Sequence, residues 1–473
     1  MKFIKIFFLL VVIVQAGSCK KFLEEQSQSE VVPKTVQALN ELLLGEGYGF
    51  YPFDAVTCDD DIAHTWENAS KGDIFFQFTW QPQDLPGYEL SVNAVDWTKW
   101  YQVIQVCNTI LEYIPRVKGT AAEKNYVKGQ ALLLRSYSYF HLVNMFALSY
   151  PDKLTNPATN PGVPLVTASG VSLEPVGRAT VAQVYEQMVK DVTEGTLLLE
   201  KVNKTDPKGR INHVAGYLLA SRIHLFMGNW QQCADAATNV LKYNSSLMDL
   251  NTWGAPNPLT KPIIGGSNVE TIWEFGEMTK MSPGLDGNEF YSVSDELLSL
   301  FEPGDLRATV YLTGNRYNKL AFPTSTGSAM ASFAFRVSEA YINRAEAYAQ
   351  LFANGNGQAA TLALNDLNTF RRHRFATAQY QHLQTSSAQE LLGWVRKEKR
   401  LEFFREENIR WYDLKRYGMP EIRHQYYRDQ NNAEVYVLKE RDPMYLRQIP
   451  NEAMRRNTAL IQNPALADRR IPE

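Results

Sequence analysis

The feature that most constrains this chain is a series of long apolar stretches with a period near 3.6 residues, several of them in pairs. Val95, Val103, Val106, Ile110 and Ile114 keep helical spacing until Pro115, with Trp97, Trp100 and Tyr101 adding aromatic bulk. The period resumes over 121–147 through Leu132, Leu133, Tyr137, Phe140, Leu142 and Phe146. A loop rich in Pro and Asn (150–163) precedes a third stretch over 181–199, for which Thr180 is the expected N-cap. Two tight pairs follow: 214–227 with 231–243 across Gly228-Asn229, and 333–352 with 358–374 across Asn354 to Gly357. Residues 387–417 read as one further long helix, ended by Pro420. The chain is therefore expected to be mostly α. Ser221 and Cys233, and Ala345 and Ala360, stand where a tetratricopeptide repeat places small residues so that two helices approach closely; the period is degenerate.

Two stretches break this rhythm, 51–94 and 244–332. Both mix aromatics with Asp, Asn, Gln, Pro and Gly, and long irregular segments between packed helices are often functional. A sugar ring offers an apolar C–H face and a rim of hydroxyls, so its binder needs aromatic platforms flanked by amides and carboxylates. Trp97, Trp100, Trp230, Trp394 and Trp411 lie on helical patterns and belong to the core, and Trp273 sits in the strand-like 270–275. That leaves Trp66, Trp80 and Trp253, with Tyr88 and Tyr291, as platform candidates. Asp60, Gln81 and Asn251 are among the polar candidates beside them.

The first residues do not belong to the fold. Lys2 and Lys5 precede a short apolar run, Ile6 to Val14, which is too short for a hydrocarbon core that needs about 20 residues. Residues 1–18 read as a secretion signal, Cys19 as a lipidated mature N-terminus, and 19–30 as a polar tether to a single domain over 31–473. Without Lys2 and Lys5 the 48 Lys and Arg fall to 46 against 51 Asp and Glu, a charge of −5. That balance suits an uncharged cargo and excludes a general nucleic-acid binder. Cys58, Cys107 and Cys233 form no metal or redox spacing and are expected as buried thiols.

No Walker loop, GxGxxG, GxSxG or HExxH occurs, so no cofactor, metal centre or catalytic residue is assigned. Asp59-Asp60-Asp61 clusters oxygens as a calcium site would, but lacks the Gly and distal Glu of a loop motif and reads as a solvated loop. In 396–416, Glu402 with Arg405, Glu406 with Arg410 and Asp413 with Arg416 interleave signs at helical spacing, which reads as a locally neutralised structural helix.

Several blocks resemble the SusD/RagB family of surface nutrient-binding lipoproteins: Cys19 to Glu25, Trp97 to Asn108, Arg135 to Phe146, Pro161 to Leu165, Val214 to Trp230, Arg336 to Tyr348, Arg396 to Gly418, and Ile449 to Glu452 with Asn463-Pro464. Arg405-Glu406-Glu407-Asn408 departs from the family's usual Glu-Gly pattern. The resemblance implies a SusD-like fold with four degenerate tetratricopeptide-like helix pairs as scaffold (about 95–243 and 333–417) and a loop-rich ligand face (about 51–94 and 244–332). It implies capture of a glycan or oligosaccharide without catalysis. Delivery would be to a SusC-like, TonB-dependent transporter from a lipid anchor on the outer membrane. A RagB-like peptide binder and a tetratricopeptide-type interaction scaffold are the alternative readings.

Overall fold

The computed structural model describes residues 33–473 except 49–56, 67–74, 83–91, 171–173, 206, 255–262, 277–290, 318 and 320–332. The signal, Cys19 and Tyr88 lie outside the described residues. Nine helices of eight residues or more form the scaffold among those described: α1 (Val92–Tyr113), α2 (Ala121–Phe146), α3 (Val181–Val202), α4 (His213–Met227), α5 (Trp230–Tyr243), α6 (Val337–Ala353), α7 (Gly357–Arg372), α8 (Ala388–Phe403) and α9 (Ile409–Arg416). Their starts follow capping chemistry. Thr120 and Thr180 each accept the N–H three residues on, from Glu123 and Gln183, whose side chains return to the threonine N–H. Gly228, at φ 76°, closes α4 in the left-handed region where a side chain would be strained.

Consecutive helices pack from α1 to α5; α5 then packs on α6, and α6 on α7. The described parts of 244–332 thus belong to an insertion between two helices that are neighbours in space. Ser221, Cys233 and Ala345 are buried as expected, but Ala359 rather than Ala360 faces the core. A close approach joins α2 to α3, where a Cβ at Gly195 would lie 2.9 Å from the Gly129 carbonyl oxygen. All three described cysteines are buried thiols outside any disulfide, and burial pushes the Cys107 thiol up to about 12.

Two expected helices are divided. Residues 333–336 form a strand, β6 (Phe333–Arg336), paired antiparallel with β2 (Thr271–Phe275), and only then does α6 begin. The long helix of 387–417 breaks between α8 and α9, where Arg405 (φ 56°) and Glu407 (φ 49°) take left-handed backbone. Pairing with β2 makes the first a strand, and buried ion pairs hold both breaks. Arg336 ends β6 with its guanidinium 2.7 Å from Glu402 and 2.7 Å from Glu406. Arg374 lies 2.9 Å from Glu402 and 2.7 Å from Glu270, while Lys319 reaches Glu406 at 2.7 Å. Arg307 joins Asp305 (2.7 Å) to Glu398, which also meets Arg371. Arg222 holds Glu339 and Glu407, each at 2.7 Å.

The local pairing expected within 396–416 is therefore corrected. Asp413 does bind Arg416 at 2.7 Å, but Glu402 and Glu406 pair with Arg336, Arg374 and Lys319 from other elements, and Arg410 turns to Asp60. Burial raises the Glu402 carboxyl, but Arg374 and Arg336 outweigh it and hold the group far below the ordinary carboxylate range.

A main apolar core follows the helices. A smaller one, with Met248, Leu250, Ile263, Val293 and Tyr311, lies within 244–332 and is completed by Leu401 of α8 and by Phe404. The irregular segment thus has its own foundation on the scaffold.

Two outcomes test this account. Gly195→Val is expected to cost roughly 1–3 kcal/mol by overpacking the α2–α3 contact, read as a lower denaturation midpoint. Glu402→Gln is expected to cost about 3–5 kcal/mol, because it removes the carboxylate that Arg336 and Arg374 share and leaves the buried cluster one negative charge short; an unchanged midpoint would refute that role.

Candidate ligand-binding cleft

Strand pairing brings the two irregular segments together. β1 (Ile62–His64) runs antiparallel to β3 (Tyr291–Val293), with Ile62 opposite Val293 and His64 opposite Tyr291. The turn before β1 is tied to the end of β3, since Ser294 N–H donates to Asp61 O (2.9 Å) and its hydroxyl to Asp60 O (2.8 Å). A small hairpin of β4 (Leu312–Thr313) and β5 (Arg316–Tyr317) presents Asn315, whose carbonyl accepts Val293 N–H at 2.9 Å. A second hairpin, β7 (Ile422–Asp429) with β8 (Asn432–Leu438), closes the other side. Its Tyr427 N–H donates to His64 Nδ1 at 3.0 Å. Between them lies a polar cleft of about 770 Å³.

Asp60 lines this cleft. Its carboxylate accepts from Arg410 Nε and Nη2 at 2.7 and 2.6 Å, and Arg400 bridges Asp60 (3.2 Å) and Asp61 (2.6 Å). Burial raises Asp60, yet Arg410 and Arg400 bring it below the ordinary carboxylate range; Asp59 is raised well above it by burial and by Asp61 and Asp60. The solvated-loop reading of these aspartates is corrected: Asp59 and Asp61 have no exposed surface, because α8 and α9 bring arginines onto the turn.

Trp80 is also corrected. It is 3% exposed, its Nε1–H donates to Cys58 O at 2.9 Å, and its indole stacks on His424 with centroids 4.2 Å apart. Phe78 covers the other face of His424 at 4.0 Å, so Trp80 is the outer leaf of a buried sandwich with no face open to a ligand. Trp253 is half-buried against the smaller core and is not among the residues lining the cleft, so the structure does not bring it to the platform position expected. Trp66, two residues beyond His64, is 44% exposed; it stands beside the cleft in sequence and is not among the residues lining it. Tyr291 is placed opposite His64 by its backbone. Gln81 and Asn251 are structural: Gln81 exchanges hydrogen bonds with the Arg470 backbone (3.0 and 2.9 Å), and Asn251 donates to Phe375 O and accepts Thr377 N–H, both at 3.0 Å.

The sequence reading missed β7. Along β7, Ile422, His424 and Tyr426 are buried, whereas Arg423 and Gln425 are exposed and Tyr427 is half-buried; all but Tyr426 border the cleft. The signal was present: two alternating runs flank Asp429 to Asn432, a turn-forming set.

Burial lowers the His64 imidazole to about 4, so at neutral pH the ring is uncharged and Nδ1 is free of a proton to accept Tyr427 N–H. A folded-state value below the ordinary 6.5 means the unfolded chain binds the proton more readily. Stability from this group is complete above the ordinary value and is lost as pH falls from 6.5 toward 4. A melting-temperature profile over that window should decline. His64→Asn, whose amide oxygen still accepts but does not titrate, should flatten part of the decline; His424, also drawn down to about 4 by burial, and the buried His141 and half-buried His213 and His224, lowered by the same cause, contribute to the rest.

Residues 21–225 match a SusD-like family described as "Starch-binding associating with outer membrane", and residues 279–465 match the SusD family. The chain belongs to the SusD/RagB family. Its fold is shared with a SusD-like carbohydrate binding protein of Bacteroides vulgatus, at TM-score 0.70 and 21% identity over 92% of this chain and 99% of that one. A SusD superfamily protein of Bacteroides thetaiotaomicron matches at TM-score 0.70 and 24% identity, covering 91% and 98%. A putative sugar binding protein of Bacteroides vulgatus matches at TM-score 0.70 and 22% identity, covering 92% and 99%. No curated protein matches the chain. No helix among the described residues is long and apolar enough to cross a membrane.

Proposed function

We propose that this protein is a surface lipoprotein that captures a glycan or its oligosaccharides and delivers them to a SusC-like, TonB-dependent outer-membrane transporter. The observation that carries the reading is the cleft, where the two segments rich in aromatics and amides are joined by β1 and β3 into one polar wall. Relatives of the same fold described as carbohydrate binding and sugar binding support it. Asp60, held by two arginines, supplies a rigid charged edge, and Trp66 supplies an exposed indole beside β1. The same reading makes residues 1–18 a cleaved signal, Cys19 the lipid attachment point and 31–473 one binding domain whose chemistry is capture rather than catalysis.

Calorimetry of the protein without residues 1–19 against a glycan panel tests this. Binding of an oligosaccharide is expected, whereas binding of peptides alone would replace the glycan reading with the RagB-like one. Trp66→Ala is expected to weaken glycan binding by roughly 1–3 kcal/mol, the worth of a ring stacked on an aromatic. Its melting temperature should be nearly unchanged, since the side chain is exposed.

A further inference from the structure

We propose that the outward row of β7, centred on Tyr427, is the ligand-reading strip of the cleft and selects an uncharged sugar. Tyr427 is the platform for the ring's C–H face, and Gln425 is the amide that meets its hydroxyls. This rests on the glycan reading above and names the residues that carry it out.

Strand alternation sets the row. Tyr426 is committed inward, 4.9 Å from Phe75 edge-on and 4.4 Å from His64 in a stack, so its neighbour Tyr427 must face the cleft. The position of Tyr427 is fixed twice over, by β8 on one side and by its N–H on His64 Nδ1 on the other. A platform held this way loses little freedom when a ligand arrives. Ser292 and Asn315, carried by the segment that β3 and the β4–β5 hairpin anchor, line the same cleft and add hydroxyl and amide groups.

The charges in the cleft explain the selectivity. Its arginines are already engaged: Arg410 grips Asp60, and Arg423 lies 2.8 Å from Glu421 and 3.0 Å from Glu473. Asp295 adds a carboxylate to the same wall, and Glu296 adds another that Arg400 holds at 2.7 Å. Among the described lining residues, a uronate or sulfated sugar would meet carboxylates and no uncommitted base. A neutral ring loses nothing there, because a stacking face and hydrogen-bonding groups carry no charge to repel.

Calorimetry with malto-, xylo- and manno-oligosaccharides and with oligogalacturonate tests the inference, using wild type, Tyr427→Ala, Tyr427→Phe and Gln425→Ala. Wild type should bind a neutral oligosaccharide, Tyr427→Ala should bind it roughly ten- to hundredfold more weakly, and Tyr427→Phe, which keeps the ring, should stay within a fewfold of wild type. Gln425→Ala, at an exposed position, gives an independent loss should Tyr427→Ala disturb folding. Wild-type-like binding by Tyr427→Ala and Gln425→Ala overturns the strip while leaving the glycan reading intact. Oligogalacturonate binding as tight as the neutral sugars overturns the selectivity. Failure of wild type to bind any oligosaccharide overturns the function reading and this inference with it.

Discussion

Glu402 has no exposed surface, yet it is charged, and the arrangement of much of the chain follows from what that requires. A buried carboxylate without partners would cost far more than a helix gains from forming, so positive groups must be brought to it. Arg336 arrives from the end of β6 and Arg374 from just beyond α7, and both also reach Glu270, which precedes β2. Three remote stretches are thereby pinned around one helix. The break after α8 belongs to the same system: left-handed backbone at Arg405 and Glu407 lets Glu406 face Arg336 and Lys319 while Glu407 faces Arg222. A continuous helix would have set these carboxylates along fixed 100° steps and left some of the cations unmatched.

The cleft inherits its rigidity from this arrangement. α8 contributes Glu398 and Glu402 to the buried ion pairs and Arg400 to Asp60 and Asp61; α9 contributes Arg410 to Asp60. Leu401 and the adjoining Phe404 meanwhile complete the small apolar core on which 244–332 rests. One helix therefore supports both segments that form the cleft, and β1 pairing with β3 locks them in register. Loops that carry binding residues are mobile by default. Here their bases are held by ion pairs and a dedicated core.

Legibility in the sequence varied with the range of the interaction. The N-cap at Thr180, the turn at Gly228-Asn229 and the helical stretches were readable because each depends on neighbours within a few positions. Residues 333–336 were read as helix because Phe-Ala-Phe adjoins a helical apolar pattern, and only the partner strand β2 makes it a strand. Trp80 stood among polar residues and read as exposed; the ring that covers it, His424, comes from a distant hairpin. Tyr427 went unread for the converse reason. Its run was long enough to predict a strand, but which face would border a cleft depends on where β1 lies.

By itself the sequence determined the helix-pair scaffold, its family, the two segments that interrupt it and the near-neutral charge. All of these rest on local spacing, composition and motif order. Tertiary structure alone decided which aromatics are covered, which charges find partners and which strand faces the cleft. The physical reason is that burial and ion pairing are properties of what lies across the gap. Asp60, Arg410 and Tyr427 acquire their roles only when α9, the turn before β1 and β7 meet.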